Sequence, residues 1–428
     1  LLAMAPVKVD LSKCHLHTLG DSEKLKLEDL RSRVPKLLER VREGSEDARA
    51  QEKLTIWNVD LQEAGDASDI VLLKFIRAEE LDVDKAADRI VQTLIFRADC
   101  RIDGLRDAEL PACFQGHDVI SGIDVKGRPV MISRFGKMDL ELVFGDTEAF
   151  VRYRAKLFEQ AMAKLSFKKG EPEELTQVHD YSGVPLFFQT QTVKGSVTAV
   201  TKVFGEHYPE TKGKTIFVNF PATFAKLFKA FSVFIPERTL QKFLILGEND
   251  QDQLFENISP EYVPEVLGGI LRDPPSALSA KSQVVFLRAR AVEALTLAEA
   301  AGPATMDWEL RVCYSDIAYE VVFVPSDGSS EVVVQRSESG QLLQGEAGVV
   351  SGQFSSKAAG SLRCRFRNEG AWFKSRLCVC RGQVKIPELK APEVKSPEVQ
   401  KAPEAAPAPK PAPAPAPAPK PTPAPAPV

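Results

Sequence analysis

The stretch that most constrains this chain covers residues 204–269, where helix and strand signals alternate and each change is punctuated. Ile216, Phe217 and Val218 form a short β-favouring run that stops at NFP, residues 219–221. Phe224, Leu227, Phe228, Phe231, Phe234 and Ile235 then recur at helical spacing, with Lys226, Lys229 and Ser232 on the opposite face. A second apolar strand, FLIL at 243–246, follows Pro236. Strands joined by helical segments in this way imply a mainly parallel α/β sheet. Two readings fit the phenylalanine stripe. It is either a helix facing a core, the commoner use of such a stripe, or a helix that closes over an apolar ligand.

The rest of the chain divides around this stretch. Residues 21–50 are dense in charge, with Leu25, Leu27, Leu30, Leu37, Leu38 and Val41 between, a loosely amphipathic helical region interrupted by Pro35. It is either solvated or packed on the next module. GDASD at 65–69 punctuates the chain, and Ser68 or Asp69 is expected to cap a helix carrying Val71, Leu72, Phe75 and Ile76. Asp82 is expected to cap a second, with Val83, Ala86, Ala87, Ile90 and Leu94 on one face. GIDVKGRP at 122–129 reads as a hairpin turn running into a strand. A helix over 150–167, a strand over 175–178 and a helix over 190–204 follow. Composition changes at DPPS, 273–276, beyond which short alternating runs at 308–312, 317–324, 331–334, 362–367 and 371–379 predict an all-β sandwich. From 387 onward Ala, Pro, Lys, Glu and Val offer too little apolar surface to offset ordering entropy, so an extended, disordered tail is expected. Its PxxP-type spacings suit a spacer or a partner-binding segment.

A chain of 428 residues can bury more than one core, and a formal net charge of −4 gives no overall bias towards nucleic acid. Seven scattered cysteines, an odd number, do not form a disulfide framework and point to a reducing, cytoplasmic setting. Cys378 and Cys380 lack the further pair of a zinc site, and His15 and His17 read as surface residues, so no metal is expected. The opening LLAMAPVKVD lacks the charged-then-apolar design of a signal peptide, and no apolar run is long enough for a membrane span. Nor is there a nucleophile elbow, a phosphate-cradling glycine loop or an HExxH motif. His179 beside Asp180 is a turn more readily than an acid–base pair. No catalytic residue, cofactor or enzymatic activity is assigned.

YPET at 208–211, the strand ending in VNFP at 218–221, TLQKFLIL at 239–246 and VPEVLGG at 263–269 together resemble the second half of a CRAL-TRIO lipid-binding domain, the fold of the yeast-type phosphatidylinositol transfer proteins. Residues 70–97 resemble the family's helical lead-in, the turn at 124–130 the opening of its sheet, and HDYSGV at 179–184 its aspartate-then-glycine turn. TMDWELRVCYSDIAYEVVFVPSDGSSEVVVQ at 305–335 resembles a GOLD (Golgi dynamics) domain. CRAL-TRIO followed by GOLD is most similar to the plant patellins, although their long biased segment stands at the other end. The expected organisation is a charged, partly helical region over 1–53, a helical lead-in over 54–110, a CRAL-TRIO domain over 111–282, a GOLD sandwich over 283–385 and the tail over 386–428.

The resemblance implies a lipid cavity gated by the phenylalanine helix, with Phe217, Phe224, Leu227, Phe228, Phe231 and Phe234 as cavity and gate residues. Carried over onto matching positions, Glu210 pairs with Lys242, and Thr239 contacts an inositol phosphate; an ammonium at a cavity mouth neutralises phosphate and a carboxylate positions it. Two departures count against simple transfer. Glu79 stands where the family's lead-in has a phosphate-facing arginine, and Thr211 stands where a basic residue is common. Docking is expected through Arg363, Arg365 and Arg367, three cations on one strand face, with Lys374 and Arg376. A solvated outer strand face is the competing reading. The expected partners are a phospholipid, a phosphoinositide first, a membrane surface engaged peripherally, and proteins met through the GOLD domain and tail. The chain is thus expected to bind and transfer lipid in vesicle trafficking. The alternatives are a trafficking adaptor without lipid exchange, or a carrier of a tocopherol-, retinoid- or sterol-like hydrophobe.

Overall fold

The structure is a computed structural model and describes residues 14–185, 191–221, 240–247, 251–272, 278–312, 317–337, 349–370, 372 and 375–385. Phe224, Leu227, Phe228, Phe231, Phe234, Thr239 and Lys374 lie outside the described residues, as do the 273–276 segment and the tail.

Three helices come first: α1 (Asp21–Gly44), α2 (Asp66–Ala78) and α3 (Val83–Asp99). The region expected to break at Pro35 is one continuous helix. Leu27, Leu30, Val34, Leu37 and Val41 of α1 are buried, so its apolar stripe packs on its neighbours and is not solvated. Charge follows the packing, since Arg31 Nε donates to Asp69 Oδ1 at 2.8 Å and Arg40 Nη2 to Asp88 Oδ1 at 2.6 Å. α2 starts at Asp66, ahead of the expected caps. Ser68 is already in its first turn and donates to the Glu63 carbonyl at 2.6 Å. Asp82 does cap α3, accepting from the Lys85 N–H at 3.1 Å.

A two-stranded ribbon, β1 (Thr55–Ile56) and β2 (Val59–Asp60), precedes α2. The main sheet has β3 (Asp118–Ile123), β4 (Pro129–Arg134), β5 (Leu175–Asp180), β6 (Lys212–Val218) and β7 (Phe243–Ile245) in that order among the described residues. β3 and β4 form the expected antiparallel hairpin, and β4 to β7 run parallel. Asp124 closes the hairpin turn by accepting from the Lys126 and Arg128 N–H groups and from Thr176 Oγ1 on β5. Three crossover helices are described: α4 (Leu140–Gly145), α5 (Thr147–Met162) and α6 (Gln191–His207). α5 stops short of the expected Phe167, whose left-handed φ of 48° turns the chain and buries its ring 6.2 Å from that of Trp57. One face of the sheet packs Val130, Ile132, Val178, Ile216 and Val218 against Leu254, Ile258 and Leu267. The other looks towards α5 and α6, through Met131 and Leu175.

From residue 283 onward, eight antiparallel strands among the described residues form two four-stranded sheets: β8 (Gln283–Leu287), β9 (Val292–Ala300), β10 (Ala304–Val312), β11 (Ala318–Pro325), β12 (Val332–Ser337), β13 (Val349–Ser356), β14 (Gly360–Arg367) and β15 (Arg376–Val384). Their orders are β13-β10-β15-β8 and β12-β11-β14-β9. Trp308, Leu310, Cys378 and Cys380 from one sheet meet Val321, Phe323, Leu362, Cys364 and Phe366 from the other in one core. Trp308 lies opposite Gly352, where a Cβ would stand 2.5 Å from its ring. The three core cysteines are free, and burial pushes the Cys380 thiol up to about 12.

Candidate functional site

Strand alternation puts Gln177 and His179 on the helix-facing side of β5, and His179 is in register with Phe217 on β6. Around them stand Phe135, Tyr181, Phe220 and Phe243. His179 lies 5.5 Å from Phe135 and 5.6 Å from Phe217, ring centre to ring centre, while Phe217 lies 5.4 Å from Phe220 and 5.8 Å from Phe243. Tyr181 meets Phe220 edge to face at 5.1 Å. This aromatic wall lies at the carboxyl ends of parallel strands, where open α/β sheets hold their ligands. The phenylalanine-rich segment 222–239 follows Phe220 in sequence and lies outside the described residues.

The turns that hold the wall are locked by polar contacts. Asp180 points to the other face, buried, and accepts from Asn219 Nδ2 at 2.8 Å and from the Ser182 N–H at 2.9 Å. His179 and Asp180 therefore diverge and form no acid–base pair. A Cβ on Gly136 would stand 1.6 Å from the Ser182 carbonyl oxygen, so the 135–137 turn closes against this one. Burial, then the charges of Arg154 and Lys212, pushes His179 well below its usual range and keeps its imidazole neutral. Lys212 is exposed, with its Nζ 5.6 Å from the Phe204 ring centre. Loss of hydration beside the surrounding protein, followed by the Arg154 and Lys242 charges, lowers its ammonium to about 8.

The mouth residues are assembled at the start of β6. Tyr208 is buried and donates to Glu159 Oε1 at 3.0 Å, while Thr211 donates to the Tyr208 carbonyl at 2.8 Å. Thr211 is thus an internal tie of the turn and does not face a ligand. Glu210 has a left-handed φ of 52°, which turns its carbonyl to the fully buried Lys74 at 2.8 Å. Its carboxylate stands 3.9 Å from Lys242 Nζ, so the two residues come together. Lys242 also donates to the Lys212 carbonyl at 2.7 Å and lies 3.4 Å from Glu174 Oε1.

Sequence reasoning missed Glu174, the third member, although it immediately precedes β5, whose Leu175 is in register with Lys212. It also missed the cluster behind. Lys74 donates to the Glu173 carbonyl at 2.7 Å, Arg77 pairs with Glu173 at 2.9 Å, and His15 reaches the same carboxylate at 3.2 Å. His15 is therefore an internal partner, in contrast to the surface role expected of it. Burial opposes the Glu173 charge, but the His15 hydrogen bond and the Lys74 and Arg77 charges hold it down at about 2. Burial lowers Lys74 to about 8. Glu79 is neutralised by Arg89 at 2.6 Å, so it presents no bare carboxylate to a phosphate.

Arg363, Arg365 and Arg367 do share one face of β14, opposite Glu320 of β11. Arg365 donates to both oxygens of Glu331 at 2.6 and 2.7 Å and to Glu320 at 3.4 Å, and Arg367 lies 3.6 Å from Glu320. Two of the three cations are thus compensated within the sheet. Arg376 opens β15, opposite Leu287 of β8. Among the described residues no helix is long and apolar enough to cross a membrane.

The comparisons with known proteins fall on the same regions. The family model described as CRAL/TRIO domain matches residues 114–269, and that described as CRAL/TRIO, N-terminal domain matches residues 26–92. Patellin-2 of Arabidopsis thaliana is 27% identical over 343 residues, covering 78% of this chain and 49% of its own, so the chain spans about half that relative's length. The phosphatidylinositol transfer protein SFH5 of Cryptococcus neoformans is 30% identical over 267 residues, covering 57% of this chain and 86% of its own. The crystal structure of Sfh5 aligns with a TM-score of 0.48 at 23% identity, over 55% of this chain and 83% of that one.

Proposed function

Because this chain belongs to the CRAL/TRIO domain family, we propose that it holds a phospholipid, phosphatidylinositol or a phosphoinositide, against the aromatic face of its sheet and carries it between membranes. The carrying observation is the pairing of Glu210 with Lys242 at the edge of that face, 3.9 Å apart. A lysine held by two carboxylates and a backbone carbonyl keeps a fixed position without having its hydrogen-bonding capacity exhausted, and a phosphate approaching it meets an oriented ammonium. Acyl chains laid on Phe217, Tyr181 and Phe243 are removed from water, recovering about 0.8 kcal/mol per CH2 group, which offsets extraction from a bilayer. On this reading the segment 222–239 is the gate, Thr239 completes the headgroup contacts, and binding rather than catalysis is the activity. The C-terminal sandwich is read as a GOLD domain. The protein acts in the cytoplasm and docks peripherally on membranes during trafficking.

The test is mass spectrometry of lipid extracted from purified protein after incubation with mixed liposomes. Phosphatidylinositol or its phosphates are expected in the wild type. Lys242→Ala should lose that cargo at least about tenfold, the cost of a missing charge-assisted contact, while its circular dichroism spectrum stays unchanged. Recovery of a neutral isoprenoid or sterol would reassign the cargo. Recovery of no lipid would leave the adaptor reading.

A further inference from the structure

The turn joining β8 to β9 and the loop joining β14 to β15 are fastened together at one end of the sandwich. Asn368, fully buried, donates through Nδ2 to the Leu287 and Arg288 carbonyls at 3.1 and 3.0 Å and through its N–H to Ala291 at 2.9 Å. Its own carbonyl accepts from the Arg290 N–H at 2.8 Å. Arg290 is thereby held at a left-handed φ of 59°, a conformation costly for a non-glycine residue and kept only where surrounding contacts over-determine it. What this clamp displays is a tryptophan. Trp372 is 70% exposed, and the Arg290 guanidinium lies 4.1 Å from its ring centre. Phe286 and Val292, on the strands either side of the turn, are also exposed.

We propose that this tip, Trp372 and Arg290 flanked by Phe286, Arg288 and Val292, is the surface by which the protein docks on an anionic lipid leaflet. The proposal rests on the peripheral-docking part of the reading above and gives it a location. A ring with an apolar body and an N–H at one end, stacked on a cation, suits the boundary between headgroup phosphates and acyl chains. Charge favours the same occupant. Among the described residues neither Arg288 nor Arg290 pairs with a carboxylate, unlike Arg365 and Arg367 on the neighbouring strand face. Arg376 begins β15 at this end too, against Glu293 and Glu369. On a chain of net charge −4 this end is locally basic.

The experiment uses the full chain and its own fluorescence. Of the three tryptophans, Trp57 and Trp308 are buried, so a change in emission on adding vesicles reports Trp372. With phosphatidylcholine vesicles containing phosphatidylserine, emission should shift to shorter wavelength and be quenched by brominated acyl chains; with phosphatidylcholine alone it should not. Trp372→Phe should remove the shift. Trp372→Ala should weaken vesicle flotation roughly tenfold, and Arg290→Glu roughly twenty-five-fold, two charge steps of about fivefold each. Flotation with unchanged emission would overturn this surface and leave peripheral docking intact. Absence of flotation would overturn both, without touching the cargo test. A difference spectrum of wild type minus Trp372→Phe that already lies at short wavelength before vesicles are added, and is unaltered by them, would mean that the chain itself covers the ring, and would also overturn the proposal.

Discussion

His207 shows how far a side chain's chemistry depends on what surrounds it. Its ring stacks on Phe96 at 4.1 Å, and burial, with the Arg89 charge, lowers it to about 4. Above pH 6.5 the ring is neutral folded or unfolded and costs nothing. As pH falls from 6.5 towards 4 the unfolded chain takes up the proton first, so stability is lost over that window and levels off below it. His179, also lowered, acts in the same direction. His207→Phe keeps the stack and removes the proton, so the loss between pH 7 and 5 should shrink by about 1–2 kcal/mol, read as a smaller fall in Tm. At this scale the family resemblance named Glu210 and Lys242, whose charged groups lie 3.9 Å apart. Glu174 was not legible, because its partnership with Lys242 exists only once β5 and β6 lie side by side in register. The exposed Trp372 carries no sequence signal either.

Elements were legible in kind and less so at their ends. The period of α3 identified Val83, Ala86, Ala87, Ile90 and Leu94, all buried, and its cap, because Asp82 acts on a neighbour three residues away; Val91, Thr93 and Arg97 are buried as well and were not named. Pro35 misled, because a proline removes one hydrogen bond and clashes with the preceding turn, which as a local argument ends a helix. In α1 the burial of Val34 and Leu37 on either side outweighs that loss. Pro35 is itself exposed, so Pro35→Ala should restore the missing bond without touching the core. Stability should rise by about 1–3 kcal/mol, measured by urea unfolding. A variant no more stable than the wild type would mean that the helix relieves the proline's strain elsewhere.

Across the whole molecule, the α/β part and the sandwich meet through packed and charged contacts beyond the linker. Leu377 of β15 joins the core formed by Val130, Ile132 and Leu267. Arg311 donates to the Gly269 carbonyl at 3.0 Å, and fully buried Glu309 accepts from Arg272 at 3.1 Å and from Arg381. Glu309→Ala leaves the buried Arg381 without its counter-charge and should cost about 3–5 kcal/mol. The loss should appear as a lower Tm for the α/β part and the sandwich together; a fall confined to one of them would mean that the two unfold independently. The sequence by itself determined the order and type of elements and the change from α/β to all-β, since periodicity, caps and turn residues act over a few neighbours; Glu210 and Lys242, 32 positions apart, were named only through the family resemblance. Only the tertiary structure decided that Glu79 is neutralised, that the β14 arginines are compensated, that Thr211 ties its own turn, and that Trp372 stands out on a clamped tip. Those outcomes depend on which distant side chains share a low-dielectric space, and sequence distance does not encode that.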